Sequence, residues 1–270
     1  PGHVPGVDGM GVVVAVGEGV SHLRPGARVA YHADLRRDGS FARHTLIPAR
    51  AVLSVPAGLS DETAAAFPCP GLTAWLALAK LPEIKDEALL VAGAGSNVGR
   101  FVVALALRAG ARVFATASGD KREAVLGFGA DVCIDYRSED IGAGLSRTCP
   151  NGIDVYFDNV GGETLNEVLA RINDHARIIL CGAISQYNTG APAPGPANLI
   201  NAIPRRALLK GFIILDHMDR AAEASQAMGQ WMQEGRLVAK TYVRDGLDSA
   251  PAALQDLFTG ANLGKTLVRV

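Results

Sequence analysis

A glycine-rich segment between an apolar run and an amphipathic run carries the clearest chemical signal in the sequence. Residues 91–99 read VAGAGSNVG, with glycines spaced GxGxxxG. The apolar run 88–92 predicts a strand before it, and apolar residues at helical spacing over 98–106 predict a helix after it. Glycines at such a turn let the backbone approach a diphosphate, which the helix N-terminus binds. The predicted dinucleotide-binding loop comprises Gly93, Gly95, Ser96, Asn97 and Val98; an ordinary tight turn is the alternative.

The residues after the next predicted strand, 112–116, indicate which dinucleotide binds. NAD-preferring proteins place an acidic residue there to accept from the ribose 2′-hydroxyl, whereas residues 117–119 are Ala-Ser-Gly. Asp120 lies beyond the strand end, beside Lys121 and Arg122, two cations suited to a 2′-phosphate. The sequence therefore favours NADPH, the alternative being that both cations only begin a solvated helix.

The sequence lacks the motifs of several other common classes of enzyme and metal site. The run GANLGKT at 260–266 has one residue too few between its glycines for GxxxxGK[ST], and a strand rather than a helix is predicted after it, which excludes a phosphate loop. GxSxG and HExxH are absent from the sequence, and the four cysteines form no CxxC pair. We expect reduced cysteines in a cytoplasmic protein.

These motifs require an α/β domain to position them. From residue 72 onward, strand and helix patterns alternate, which predicts a parallel sheet covered on both faces, as in a doubly wound (Rossmann) domain. The predicted strands are 88–92, 112–116, 132–136, 153–158, 176–181 and 208–215, and the later predicted helices are 121–127, 163–171 and 219–234.

The two ends of the chain are β-rich. Turn residues separate predicted strands at 11–16, 27–32, 41–47 and 51–55, and the tail is predicted as strand 238–243, helix 251–258 and strand 266–270. The predicted domains are therefore 1–70, the first part of a substrate domain; 71–236, the dinucleotide-binding domain; and 237–270, the return segment of the substrate domain.

The composition of the chain limits the classes of molecule that it is expected to bind. With 26 Lys and Arg against 27 Asp and Glu, the chain has no basic excess for nucleic acid or anionic lipid, and its apolar runs are too short to cross a membrane. A small molecule is the expected partner. The apolar edge strand predicted at 208–215 is expected to pair with a second copy, giving a homodimer.

Several motifs, in order along nearly the whole chain, point to a known family. They are GVDGMGVVVAVGEGV (6–20), PGARVAY (25–31), GLTAW (71–75), the glycine loop, FDNVGGE (157–163), CGAISQYN (181–188) and NLGKTLV (262–268). The sequence resembles the medium-chain dehydrogenase/reductase superfamily, in its zinc-independent branch of quinone reductases and alkenal/one (prostaglandin) reductases. Zinc-dependent members have GHE where Gly6-Val7-Asp8 stands here, so no metal is expected.

The resemblance implies a Rossmann domain inserted in a smaller, β-rich GroES-like domain. Beyond the glycine loop, the predicted cofactor-binding residues are Ser118, Lys121, Tyr136, Asn159, Cys181, Tyr187 and Asn262. Tyr187 is also the predicted catalytic residue, placed near the nicotinamide ribose, where its phenol can hydrogen-bond or protonate an enolate. Alternatively, Tyr187 is a loop residue that covers the cofactor without taking part in the chemistry, and Asn262 is a turn residue before the final strand.

The functional hypothesis is an NADPH-dependent, zinc-independent oxidoreductase. It would transfer a hydride to the C=C bond of an α,β-unsaturated aldehyde or ketone, an electrophilic substrate. NADPH:quinone reduction is the close alternative, and a catalytically silent NADPH-binding sensor or structural protein is the alternative from another class. Because similar proteins have a β-rich segment ahead of the position of Pro1, the GroES-like domain is expected to be truncated at its N-terminus.

Overall fold

The computed structural model describes residues 2–190 and 193–270, which form two compact units. One unit contains the residues up to Leu76 together with Ile214–Val270, and the other is Ala77–Ile213.

The strands are β1 Asp8–Val12, β2 Arg28–His32, β3 Val52–Ser54, β4 Ala88–Ala92, β5 Arg112–Ala117, β6 Val132–Asp135, β7 Ile153–Asp158, β8 Ile172–Leu180, β9 Leu208–Gly211, β10 Thr241–Asp245 and β11 Lys265–Arg269. The α-helices are α1 Asp61–Ala66, α2 Pro68–Leu78, α3 Asn97–Arg108, α4 Gly119–Gly127, α5 Ile141–Thr148, α6 Gly162–Leu169, α7 Ala221–Gln233 and α8 Ala250–Thr259.

The Ala77–Ile213 unit is built on a six-stranded parallel sheet with the order β6-β5-β4-β7-β8-β9. The order reverses between β4 and β7, and every residue of β4 is buried, as expected for a strand covered on both faces. Leu90, Ile134, Tyr156 and Ile178 lie in one core cluster across the sheet. This topology confirms the predicted doubly wound fold, in which ligands bind at the carboxyl ends of the strands on either side of the reversal.

The other unit has an antiparallel sheet, β1-β2-β3, and a separate parallel pair, β10-β11. Together with the parallel sheet, it confirms a Rossmann unit accompanied by a small β-rich unit. The strand predicted over 41–47 is wrong: these residues form bends and irregular structure, and the Ala42 N–H bonds back to the Ser40 carbonyl at 2.8 Å. The strand predicted over 11–16 begins and ends earlier, because Val14 and Val16 are exposed and have no core to cover.

The segment 214–236 follows the last strand of the parallel sheet. It belongs to the compact unit of the chain ends, where the Gln233 side chain donates to the Ala57 carbonyl at 2.6 Å. The strand predicted over 208–215 ends at Gly211, and Ile214–Arg220 is a 3-10 helix. The side chain of Ile214 is buried, whereas that of Ile213 is exposed. Among the described residues, no helix combines the length and apolar character needed to cross a bilayer.

Candidate functional site

The glycine-rich turn joins β4 to α3. Gly93 begins it with a φ of +70°, a conformation that glycine adopts without strain. Ser96 caps α3: its Oγ accepts from the Gly99 N–H at 3.2 Å and donates to the Gly93 carbonyl at 2.9 Å. The turn therefore holds the first N–H groups of α3 at the carboxyl end of the sheet, as diphosphate binding requires.

Two further glycines permit close contacts within this turn. A Cβ on Gly99 would lie 2.6 Å from the Ala94 Cα and 2.6 Å from the Gly93 carbonyl oxygen, so α3 approaches the turn as closely as backbone allows. A Cβ on Gly95 would lie 2.8 Å from Cδ of Lys121. The aliphatic part of the Lys121 side chain therefore lies against the glycine turn, and the structure brings together two of the predicted contacts.

The ends of β5 and β6 form the edge predicted to receive the adenosine. Ser118 is buried and precedes α4, and Tyr136 follows β6 with its ring half-exposed. Arg122, a predicted phosphate cation, instead donates from Nε to the Cys133 carbonyl at 3.2 Å, which fixes it along β6.

Two charged residues that were not among the predicted ones, Asp135 and Arg137, lie at the same edge, near Asp120. A Ser138 hydrogen bond and the Arg137 N–H lower the pKa of Asp135, while the Ser118 hydroxyl is the main cause of the lowered pKa of Asp120. The positive charge of Arg137 also lowers the pKa of both carboxyl groups. Asp135 and Arg137 come close to the end of β5 only when β6 pairs with β5 in the folded sheet. No local sequence signal therefore identifies them as part of this edge.

The ends of β7 and β8 carry a second group of predicted residues. A Cβ on Gly182 would lie 3.2 Å from both the Asn159 Oδ1 and the Tyr187 hydroxyl oxygen, and one on Gly93 would lie 3.7 Å from the Asn159 Cβ. Asn159 therefore lies between the glycine turn and Tyr187. Its Nδ2 is buried, with no hydrogen-bond partner among the described residues. A bound ligand that accepts at this position would satisfy this donor.

Tyr187 is well placed for a ligand contact. Its hydroxyl oxygen accepts from the Ala183 N–H at 3.0 Å, and 63% of the residue is exposed. The hydroxyl proton can therefore be donated outward. A pocket of about 380 Å³ adjoins this side chain and is lined in part by Leu165, Leu180, Gln186 and Pro194.

Below this pocket, Asp158 organises the turn after β7. Its Oδ1 accepts from the Tyr156 hydroxyl and from the N–H groups of Val160 and Gly161, at 2.8 to 2.9 Å. Burial raises the pKa of Asp158, and burial also raises the pKa of the neighbouring Cys181 thiol to about 11. A thiol so rarely ionised is a poor nucleophile. The sequence analysis did not select Asp158, although it directly precedes Asn159 in the FDNVGG motif.

Asn262 belongs to the unit formed by the chain ends. Its Nδ2 donates to the Gly264 carbonyl at 3.0 Å, just before β11. This contact is the one expected of a turn residue. The cofactor or substrate contact predicted for Asn262 stays a prediction.

A second cluster of chemically active side chains lies within that unit. Asp8 is buried, and its Oδ1 accepts from the His32 Nδ1 at 2.9 Å and from the Cys69 N–H at 3.1 Å. The Lys265 ammonium donates to Oδ2 of the same carboxylate. Asp8 and Lys265 are 257 positions apart in the sequence, so no local pattern predicts their contact.

The sheet order and the glycine turn define the class of protein: a Rossmann unit in a chain that also forms a β-rich unit of the GroES-like kind. The family model described as zinc-binding dehydrogenase matches residues 97–232, and that of the alcohol dehydrogenase GroES-like domain matches residues 1–57. The chain belongs to the zinc-binding dehydrogenase family, within the medium-chain dehydrogenase/reductase superfamily.

Individual proteins agree with this assignment. The NADPH-dependent curcumin reductase of Escherichia coli strain K12 is 38% identical, over 74% of this chain and 61% of that protein. Prostaglandin reductase 1 of Mus musculus is 37% identical, over 74% of this chain and 62% of that protein. The chain thus spans about three fifths of the length of these curated relatives. The crystal structure of Escherichia coli quinone oxidoreductase complexed with NADPH superposes with a TM-score of 0.86 at 26% identity, covering 98% of this chain and 82% of that one.

The family's description implies zinc, which the residues present do not fit. Among the described residues, Asp8, His32 and Cys69 form the one group whose potential ligand atoms all lie within 4.8 Å of one another. The Lys265 ammonium already occupies Oδ2 of Asp8, and a divalent ion there would meet a like charge. We therefore derive no chemical step through a metal.

Proposed function

We propose that this protein is an NADPH-dependent, zinc-independent reductase that transfers a hydride to the C=C bond of an α,β-unsaturated aldehyde or ketone. The observation that carries the proposal is the arrangement of Asn159, Gly182 and Tyr187 beside the glycine turn. The arrangement combines an unsatisfied amide donor with an exposed tyrosine, whose hydroxyl oxygen accepts from a backbone N–H, near the carboxyl ends of two strands. Two of the relatives, a curcumin reductase and a prostaglandin reductase, support reduction as the reaction.

The residues of the Rossmann unit fit NADPH. The first turn of α3 would hold the diphosphate, and Ser118, Lys121 and Tyr136 would line the adenosine end, with Lys121 as the cation for the 2′-phosphate. Asn159 and Tyr187 would lie along the nicotinamide half. An NADPH-dependent relative and a similar structure that contains NADPH support this choice.

The proposed reaction adds one hydride and one proton across the double bond. When bound, NADPH supplies the hydride for the β-carbon, and the electron pair of the C=C bond moves to the carbonyl oxygen, forming an enolate. The Tyr187 hydroxyl would hydrogen-bond that oxygen or protonate it. The α-carbon then takes up one proton from water, and an enol oxygen returns its proton to the Tyr187 phenolate as the saturated carbonyl forms. The products are NADP⁺ and the saturated aldehyde or ketone.

A quinone is the second candidate acceptor, favoured by the likeness to a solved quinone oxidoreductase. A quinone accepts the hydride and the proton in the same stoichiometry, and the Tyr187 hydroxyl would serve the quinone oxygen in the same way. Comparing a 2-alkenal with a simple quinone at equal concentrations distinguishes the two substrate classes. All four cysteines are present as thiols, which fits a protein of the cytoplasm as the proposed compartment.

Replacing Tyr187 with phenylalanine is expected to lower kcat by roughly 100-fold, because it removes the proton donor while keeping the ring. The Kd for NADPH should change by less than about threefold, since the enolate contact contributes only during the reaction. Steady-state kinetics with a 2-alkenal and fluorescence titration with NADPH measure the two quantities.

The matched control for this prediction is Tyr242→Phe, the same change in β10 of the other unit. Tyr242 lies by Arg244, whose guanidinium carbon is 5.8 Å from the centre of its ring. Equal losses of kcat in the two variants, or no loss in Tyr187→Phe, would show that the Tyr187 hydroxyl has no part in the reaction.

We also propose a homodimer formed through β9, the edge strand of the parallel sheet. β9 has a neighbour on one side only, and Leu208 is 57% exposed. We expect sedimentation analysis to give twice the chain mass of 28.1 kDa, and Leu208→Lys to shift the protein toward the monomer. Val12→Lys is the control, since Val12 is also 57% exposed but lies in β1. A monomeric wild type would contradict the proposal.

A further inference from the structure

The Asp8 cluster has the composition of a cation site. A carboxylate, an imidazole and a thiol are the side chains that bind zinc and similar ions, and here their potential ligand atoms lie within 4.8 Å of one another. The side chains of Asp8 and His32 are only 2% and 8% exposed. A carboxylate buried to this extent requires a positive partner, since an unpaired buried charge is strongly destabilising.

Lys265 supplies that positive partner. Its ammonium donates to Oδ2 of Asp8, the oxygen that the His32 and Cys69 N–H groups leave available. The ammonium therefore lies beside a group of three potential metal ligands.

Each member of the cluster comes from a different element. Asp8 begins β1, His32 ends β2, Cys69 lies in the first turn of α2, and Lys265 begins β11. The cluster thus joins four segments of the unit. A structural metal ion commonly has this same role in a small domain.

We propose that the Lys265 ammonium is the built-in cation of the Asp8–His32–Cys69 cluster, and that removing its charge converts the cluster into a site for a divalent ion such as Co²⁺ or Zn²⁺. This inference does not depend on the proposed reductase activity. It explains how a member of a family described as zinc-binding is held together at this position by its own side chains. An ion can reach the cluster, because the Lys265 side chain is 26% exposed and Cys69 is half-buried.

The test compares the wild-type protein with Lys265→Gln, a neutral substitution of similar length, in a Co²⁺ titration. Thiolate ligation of Co²⁺ gives an intense charge-transfer absorption, which reports Cys69 directly. We expect the wild type to show no such band. Lys265→Gln should develop it at one Co²⁺ per chain, with an affinity at least about 100-fold higher than that of the wild type, since the like charge is gone. Zn²⁺ should displace the Co²⁺ and raise the Tm of the variant only.

Two variants serve as controls. Lys265→Arg keeps the positive charge and should show no band, and Cys69→Ser combined with Lys265→Gln should lose it. If Lys265→Gln does not fold without metal, the measurement becomes refolding in the presence of Co²⁺, and recovery of folded protein with the band supports the proposal. The proposal is overturned if the wild type binds Co²⁺ as tightly as Lys265→Gln. It is also overturned if Lys265→Gln shows no band, if it fails to refold with Co²⁺, or if the band persists without Cys69.

Discussion

Replacing Gly99 with valine is expected to weaken NADPH binding by roughly 100-fold, the equivalent of about 2–3 kcal/mol of overpacking. The first added carbon alone would lie 2.6 Å from backbone atoms of Ala94 and Gly93, so α3 must move away from the turn. The movement takes the N–H groups of the first helical turn out of reach of the diphosphate. Titration of NADPH fluorescence measures the loss directly.

The control for this variant is Gly127→Val. Gly127 ends α4, and a Cβ there would have no atom within 4 Å, so the same side chain is added without a close contact. Thermal unfolding of both variants shows whether the fold is kept. A Gly99→Val protein that binds NADPH within about threefold of wild type would contradict the proposed position of the diphosphate.

The second large effect is expected at Lys121. Its side chain crosses Gly95, and its ammonium is proposed to bind the 2′-phosphate. A hydrogen bond to a charged group contributes about 1.5–3 kcal/mol. Lys121→Ala should therefore raise the Kd for NADPH roughly ten- to hundredfold and leave the Kd for NADH nearly unchanged, because NADH has no phosphate at that position.

A second lysine provides a close match for this test. Lys85 also packs against a glycine, with its Cγ 3.1 Å from the Cβ position of Gly110, but it lies on the loop before β4, at the opposite end of the strands. Lys85→Ala should leave both dissociation constants unchanged. If Lys121→Ala weakened NADPH and NADH equally, the selectivity for NADPH would have to come from another group.

The parallel sheet was predictable because its strands are short apolar runs bounded by glycine, proline and charged residues. β7, for example, begins and ends at the predicted residues, Ile153 and Asp158. The glycine turn was likewise recognisable, since its spacing and the flanking strand and helix are all local. Local sequence patterns were enough to assign these segments as strand, turn or helix, because each packs against elements that lie next to it in the fold.

The parts that sequence reasoning missed depend on distant contacts. The residues at 41–47 have β-branched content but no partner strand, so they form no strand. α2 is apolar on all sides, and its residues therefore show no amphipathic period to identify a helix. The Asp8–Lys265 contact joins the two ends of the chain, and Asp135 becomes a neighbour of Gly119 only when β6 pairs with β5.

The most direct test of the proposed function is transfer of deuterium from NADPH labelled at the reactive C4 hydrogen. Incubating the protein with labelled NADPH and a 2-alkenal should give a saturated aldehyde carrying deuterium on its β-carbon, with one NADP⁺ formed per molecule reduced, as measured by NMR and absorbance. Oxidation of NADPH by a quinone but not by the 2-alkenal would favour the alternative acceptor. Tight binding of NADPH without its consumption by any enal, enone or quinone would contradict the reductase and leave a cofactor-binding protein without catalysis.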